Sequence, residues 1–137
     1  STGSLAADKG SLASIDDVRK AIEARSATLL DVRSPEQYAA GHIPGAKNRY
    51  WTRDVVAPGQ PGAGLFRTEQ EIRADLEGMG ITAKTPVIVY CNTGHQASEA
   101  FFTLKYRLGF PEVRLFNGSW LEWSMTPGTA RETFASR

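Results

Sequence analysis

Val87-Ile88-Val89-Tyr90-Cys91-Asn92-Thr93-Gly94-His95-Gln96-Ala97-Ser98-Glu99-Ala100-Phe101-Phe102 is the stretch that decides how this chain folds. The β-formers from Val87 to Tyr90 predict a short buried strand, and the run from Ser98 to Leu108 has the composition of a helix. Cys91, the single cysteine of the chain, therefore stands at a strand's carboxyl end, where open α/β sheets bind ligands. Asn92, Thr93, Gly94, His95, Gln96 and Ala97 form a small polar loop between strand and helix. Its backbone amides can converge on an anion or a thiolate. A cysteine used only for packing belongs inside the strand rather than at the first position after it, so Cys91 reads as a nucleophile. Gly94 lets the backbone come close to a substituent on the sulfur. His95 has two readings, a general base or a loop side chain pointing into solvent.

Outward from this unit the strand and helix alternation repeats. Upstream, Thr68 to Met79 is an amphipathic helix with Thr68 as N-cap, Glu71 at the capping-box position, and Ile72, Leu76 and Met79 on one face. Gly80 ends it. Before that helix, Thr52 to Leu65 carries Pro58, Gly59, Pro61, Gly62 and Gly64, an exposed loop too short to separate two domains. Thr28 to Arg33 is a second strand ending in charge. Ser34 caps a short helix with Pro35 at its first position, and Gly41 stops it. Gly41-His42-Ile43-Pro44-Gly45-Ala46 is a tight turn leading to a short strand near Ala46 to Arg49, with the His42 ring expected to bond backbone and fix the turn. Ser14, with Asp17 three residues on, opens an earlier helix whose stripe is Ile15, Val18, Ala21 and Ile22. Downstream, Gly109 ends the central helix, Val113 to Phe116 is another strand, Asn117-Gly118 is a turn, and Ser119 caps a short helix containing Trp120 and Trp123. This pattern predicts an α/β fold with parallel strands. Residues 1 to 13 read as a flexible lead-in or processed remnant, 14 to 124 as the domain, and 125 to 137 as a peripheral C-terminal tail.

Composition narrows the function classes. With 137 residues, 16 basic and 15 acidic for a formal net charge of +1, the chain fits one domain and offers no broad electrostatic attraction to nucleic acid or anionic membrane. Any anion recognition is local. One cysteine excludes a disulfide framework and a Cys-x-x-Cys redox or zinc arrangement. No apolar run approaches the roughly 20 residues of a membrane span. Residue 1 is Ser rather than Met, which leaves the compartment open between cytoplasm and, after removal of a leader, periplasm.

Three ordered segments resemble the rhodanese-like sulfurtransferase family. Tyr38-Ala-Ala-Gly-His42-Ile-Pro-Gly-Ala46, preceded by Leu30-Asp31-Val32-Arg33, is similar to its amino-side signature. Phe116-Asn-Gly118-Ser-Trp120-Leu-Glu122-Trp123 is similar to its carboxyl-side signature, and Cys91 falls between them where the active cysteine belongs. The carboxyl end looks most like the catalytic half of two-domain thiosulfate or mercaptopyruvate sulfurtransferases. The resemblance implies a three-layer fold with an about five-stranded parallel sheet flanked by helices. It also implies transfer of a sulfane sulfur from thiosulfate, mercaptopyruvate or polysulfide through a Cys91 persulfide to a thiol or cyanide-like acceptor or a sulfur-carrier protein, with no metal and no organic cofactor. The amides of residues 92 to 97 would cradle the persulfide, and Asp31, Arg33 and Trp120 are candidate pocket residues. Arg33 reads either as an anion ligand or as half of a surface ion pair with Asp31.

Departures from the family pattern carry information too. Asn92 and Thr93 stand where thiosulfate-specific relatives often have basic residues, which weakens thiosulfate as the natural donor. Gln96, Ala97 and Ser98 lack the Arg with which related phosphatases clamp phosphate. Asn117 replaces the usual acidic residue before Gly118, and Arg49 stands where an apolar residue is expected. The rival readings are a non-enzymatic binding domain, docking through Tyr50 to Phe66 or the tryptophan region, and a redox-sensing thiol.

Overall fold

The computed structural model describes residues 9–134. Its sheet is parallel throughout, with strands β1 (Thr28–Asp31), β2 (Lys47–Asn48), β3 (Val87–Tyr90) and β4 (Val113–Leu115) in the order β2-β1-β3-β4. The register sets Asp31 opposite both Asn48 and Tyr90, so the carboxyl ends of the central strands finish level. Four strands are present among the described residues where about five were expected. The position beside β4 is held by one parallel bridge, Leu12 to Leu115, rather than a strand.

Helices α1 (Ile15–Ala24), α2 (Pro35–Ala40), α3 (Glu69–Gly78), α4 (His95–Phe102) and α5 (Ser119–Met125) complete the α/β domain. Every residue of β3 is buried because both sheet faces are covered. Val87 and Val89 pack into one core with Ile72 and Leu76 of α3 and Ala97 and Phe101 of α4. Ile88 and Tyr90 alternate into the other, with Val18 and Ala21 of α1, Ile43 and Trp123. That division produces the three layers. The expected caps form: Ser14 with Asp17, Ser34 with Gln37, and Thr68 with Glu71 each exchange side-chain and backbone hydrogen bonds across a helix start.

Several expectations need correction. Helix α4 begins at His95 rather than Ser98, because Gly94 takes φ 101° as its N-cap and turns the chain early. The helix runs on through a π turn, Thr103–Arg107, and ends at Gly109 with φ 76°. The last residues of the expected flexible lead-in are packed: Ser11 and Ala13 are buried, and the Ala13 N–H donates to the Leu115 carbonyl at 2.9 Å. Residues 1–8 of that lead-in lie outside the described residues. The described part of the tail stays at the surface but is tied to the domain. His42 and Glu132 pair as an antiparallel bridge, and the Phe134 N–H donates to the Ala39 carbonyl at 2.9 Å. Residues 135–137 also lie outside the described residues. Arg49 is buried as a charge rather than replaced in a core, because it pairs with Asp54 and Asp75.

Candidate active site

Cys91 follows β3 directly and is only 2% exposed. The Gly94 N–H donates to Cys91 Sγ at 3.0 Å and the Ala97 N–H at 3.3 Å. Both amides belong to the start of α4, where backbone donors lack intrahelical partners and the helix dipole is positive. Two such donors stabilise a negative charge on sulfur, each charge-assisted bond being worth about 1.5–3 kcal/mol. The six-residue loop expected from sequence is thus three residues, Asn92 to Gly94, followed by the first turn of a helix. Thr93 and His95 are exposed, and Asn92 and Gln96 half-buried.

The loop is gripped from its other side by α5. Trp120 N–H donates to the Cys91 carbonyl at 2.8 Å and Leu121 N–H to the Asn92 carbonyl at 3.0 Å. One helix start therefore serves the sulfur and another serves the carbonyls of the same loop. Ser119 connects the two, and this role differs from the N-cap expected of it. It sits in the left-handed region with φ 58°, fully buried. Its Oγ accepts the Cys91 N–H at 3.1 Å, donates to the Phe116 carbonyl at 3.0 Å, and lies 3.9 Å from Sγ. The Gly-Ser-Trp motif signalled a turn at this place but not the tie to Cys91. Gly94 is required by space as well as by φ: a Cβ there would come within 2.6 Å of both the carbonyl oxygen and Oδ1 of Asn117.

Asp31 and Arg33 form a buried pair, not a surface one, with Nη2 to Oδ2 at 2.7 Å and Nε to both carboxylate oxygens at 3.1 Å. Arg33 Nη2 also donates to the Gly41 carbonyl at 2.6 Å, and Nη1 reaches Asn92 Oδ1 at 3.5 Å. The guanidinium lies 4.8 Å from the Trp120 ring centroid, and Arg131 stacks on the same ring at 5.1 Å. So Arg33 touches the residue after Cys91 while its donors are largely committed. The Tyr90 hydroxyl accepts the Ile43 N–H at 3.1 Å. Burial, then the Asp31 charge, push the Tyr90 phenol far above its usual range, which keeps it neutral in this network. His42 is buried, with Nδ1 donating to the Tyr38 carbonyl at 2.7 Å and its ring stacked on Tyr38 at 3.7 Å between centroids.

Among the described residues no group of three or more His, Cys, Asp or Glu side chains could hold a metal ion. A cleft of about 610 Å³ lined by Ala21, Arg25, Thr28, Pro44, Lys47 and Pro86 opens near the amino ends of β1 and β3. It is roomy but is not lined by Cys91, which lies at the opposite ends of the strands. Chemically, the Cys91 arrangement can present a sulfur nucleophile and hold a sulfur anion on amides.

Residues 14–126 match the family model described as Rhodanese-like domain. The chain is 37% identical over 130 residues to the sulfur carrier protein TtuD of Thermus thermophilus, covering 83% of this chain and 44% of that protein. It is 38% identical over 112 residues to the thiosulfate sulfurtransferase of Corynebacterium glutamicum, covering 70% of this chain and 35% of that one. Among solved structures, the anaerobic ergothioneine biosynthesis enzyme of Chlorobium limicola in complex with trimethyl histidine aligns with a TM-score of 0.79 at 26% identity. That alignment covers 91% of this chain and 32% of the enzyme. The chain spans less than half the length of these relatives.

Proposed function

This chain belongs to the rhodanese-like domain family, and on that premise we propose that it is a sulfurtransferase whose nucleophile is Cys91. The observation that carries the reading is the convergence of the Gly94 and Ala97 amides on Sγ at 3.0 and 3.3 Å. A thiolate held there attacks the sulfane sulfur of a donor. The bond between that sulfur and the rest of the donor breaks, and the leaving group takes the electron pair. The product is a Cys91 persulfide. An acceptor thiolate or cyanide then attacks the outer sulfur, and Cys91 leaves as thiolate. Sulfur moves at the sulfane oxidation level, so no external oxidant is consumed.

Relatives named thiosulfate sulfurtransferase and sulfur carrier protein support this class and bring both small donors and protein acceptors into consideration. Asn92 and Thr93 supply no charge to a sulfonate, and Arg33 is bound to Asp31, so polysulfide is the proposed donor class ahead of thiosulfate. Mass spectrometry after exposure to each donor tests the reading. The expected result is a gain of one sulfur on Cys91 that reductant removes and that Cys91→Ser abolishes. An unmodified Cys91 under conditions that load a known sulfurtransferase refutes it, and sulfenic acid under mild peroxide without sulfur loading favours the redox-sensing alternative.

A further inference from the structure

The first residue of every strand lines one trough at the amino end of the sheet. Lys47 of β2 and Thr28 of β1 border the cleft of about 610 Å³, and Val87 of β3 and Val113 of β4 border a second cleft of about 310 Å³. Ser26, Ala27 and Pro86 line both, so the two are continuous. With neighbouring strands about 4.8 Å apart, the order β2-β1-β3-β4 gives the trough a length of roughly 14 Å. That is the reach of about four or five extended residues, and far more than a small anion spans.

The charge along the trough is one-sided. Arg25, Lys47, Lys105 and Arg114 line it against one acidic residue, Glu112, in a chain whose 16 basic and 15 acidic residues nearly balance. Among the described residues Arg25 and Lys105 make no ion pair, and Arg114 lies a loose 3.9 Å from Asp17. Lys47 donates to the Met79 carbonyl at 2.5 Å, a neutral partner that leaves its charge in place. Beside the first cleft, the Glu132 carboxylate is occupied by the Gly45 N–H and the His42 ring. Lys47 and Arg114 stand on opposite edge strands, so these cations are strung along the trough rather than gathered on one point. Between them the floor is apolar, with Ala21 and Leu29 buried and Ala27 and Pro86 half-buried. Among the described residues no aromatic ring lines either cleft, so nucleic-acid bases have nothing to stack on.

We infer that this trough is a docking groove for an extended acidic segment of a partner protein, one whose carboxylates alternate with small apolar side chains. In an extended segment alternate side chains face opposite ways, which lets carboxylates reach the cations while apolar groups cover the floor. Cys91 follows the last residue of β3, at the other end of the strands, so a segment seated here leaves the sulfur open. The inference stands apart from the chemistry at Cys91.

Fluorescence anisotropy with labelled pentapeptides tests it. Glu-Val-Glu-Val-Glu should bind more tightly than Gln-Val-Gln-Val-Gln or Glu-Ser-Glu-Ser-Glu, and raising salt to about 0.5 M should weaken it. Arg25→Glu with Lys105→Glu should raise its Kd roughly tenfold. Arg131→Glu reverses a cation stacked on Trp120 instead, and should leave binding unchanged, as should Cys91→Ser. Equal affinity for the Gln peptide, indifference to the Arg25 and Lys105 reversals, or a loss with Arg131→Glu or Cys91→Ser overturns the groove. A labelled octathymidylate that binds as tightly and is released by the same double reversal overturns the peptide in favour of nucleic acid.

Discussion

Replacing Gly94 by Ala should separate the sulfur cradle from the fold that carries it. The new Cβ would stand 2.6 Å from the carbonyl oxygen and Oδ1 of Asn117, closer than carbon and oxygen can approach. Gly94 also holds φ 101°, a conformation that costs an L-residue about 1–2 kcal/mol. Backbone at Asn117 is fixed by the turn into α5, so the segment at 94 must yield. Its N–H, now 3.0 Å from Sγ, then moves off the sulfur. Loss of one charge-assisted donor is worth about 1.5–3 kcal/mol, or roughly a tenfold to hundredfold fall in the rate of sulfur loading at neutral pH. Gly128→Ala is the control, since Gly128 has φ 85° but no atom within 4 Å of its Cβ position. Both variants should lose melting temperature, and only Gly94→Ala should lose loading rate, measured by stopped-flow alkylation and by mass spectrometry of the persulfide. A Gly94→Ala protein that loads sulfur at the native rate would show that this amide does not hold the reacting sulfur.

Other substitutions probe the supports of the site. Ser119→Ala strips the acceptor from the buried Cys91 N–H and should cost about 1–3 kcal/mol in denaturant unfolding; an unchanged midpoint would mean the hydroxyl tie is dispensable. Arg33→Leu leaves Asp31 charged and buried without its partner, a loss of about 3–5 kcal/mol, and Arg33→Lys should rescue it poorly because one ammonium cannot serve the carboxylate, the Gly41 carbonyl and Asn92 together. Acid stability should depend on the helix caps. The Ser14 backbone N–H holds the Asp17 carboxyl below its usual range, so its contribution is present above the unfolded carboxylate pKa of about 3.9 and is lost as pH falls through the lower folded value. Asp17→Asn should flatten that part of the melting-temperature profile below about pH 4, and an unaltered acid limb would contradict the linkage.

Legibility in the sequence followed the range of the forces involved. The caps at Ser14 and Thr68 and the buried strand Val87–Tyr90 are set by neighbours within a few residues, and they form where local chemistry places them. The start of α4 was misplaced because a polar run from Asn92 to Ala97 has weak helix propensity. What starts the helix early is the φ of 101° at Gly94, and the need for a glycine there is set by Asn117, far away in sequence, which leaves no room for a Cβ. The same holds for Ser119, whose partner Cys91 is 28 residues away, and for the C-terminal segment, whose pairing with His42 spans most of the domain. The place of Cys91 at the end of β3 was visible from position alone. The identity of the amides that serve it was not, since that depends on which turn of which helix faces the sulfur.

The site's charge economy explains why its neutral loop is still suited to sulfur. A guanidinium lies close to the loop, yet Asp31 neutralises it and the Gly41 carbonyl and Trp120 ring fix its plane. Arg33 therefore acts as a rigid strut between β1, the turn before β2 and the residue after Cys91, leaving little of its charge to attract a dianion. Stabilisation of the sulfur falls to dipoles instead, through the amides of Gly94 and Ala97. Dipoles fixed by a helix start favour a single negative charge at one point, which suits a thiolate or a persulfide and gives little to a sulfonate held a bond or two further out. On this reasoning, Asn92→Arg with Thr93→Lys should raise kcat/KM for thiosulfate in sulfur loading and leave polysulfide nearly unaffected. Steady-state loading with each donor checks this, and a parallel rise for both donors would mean that the added charge acts on the Cys91 sulfur itself rather than on the donor.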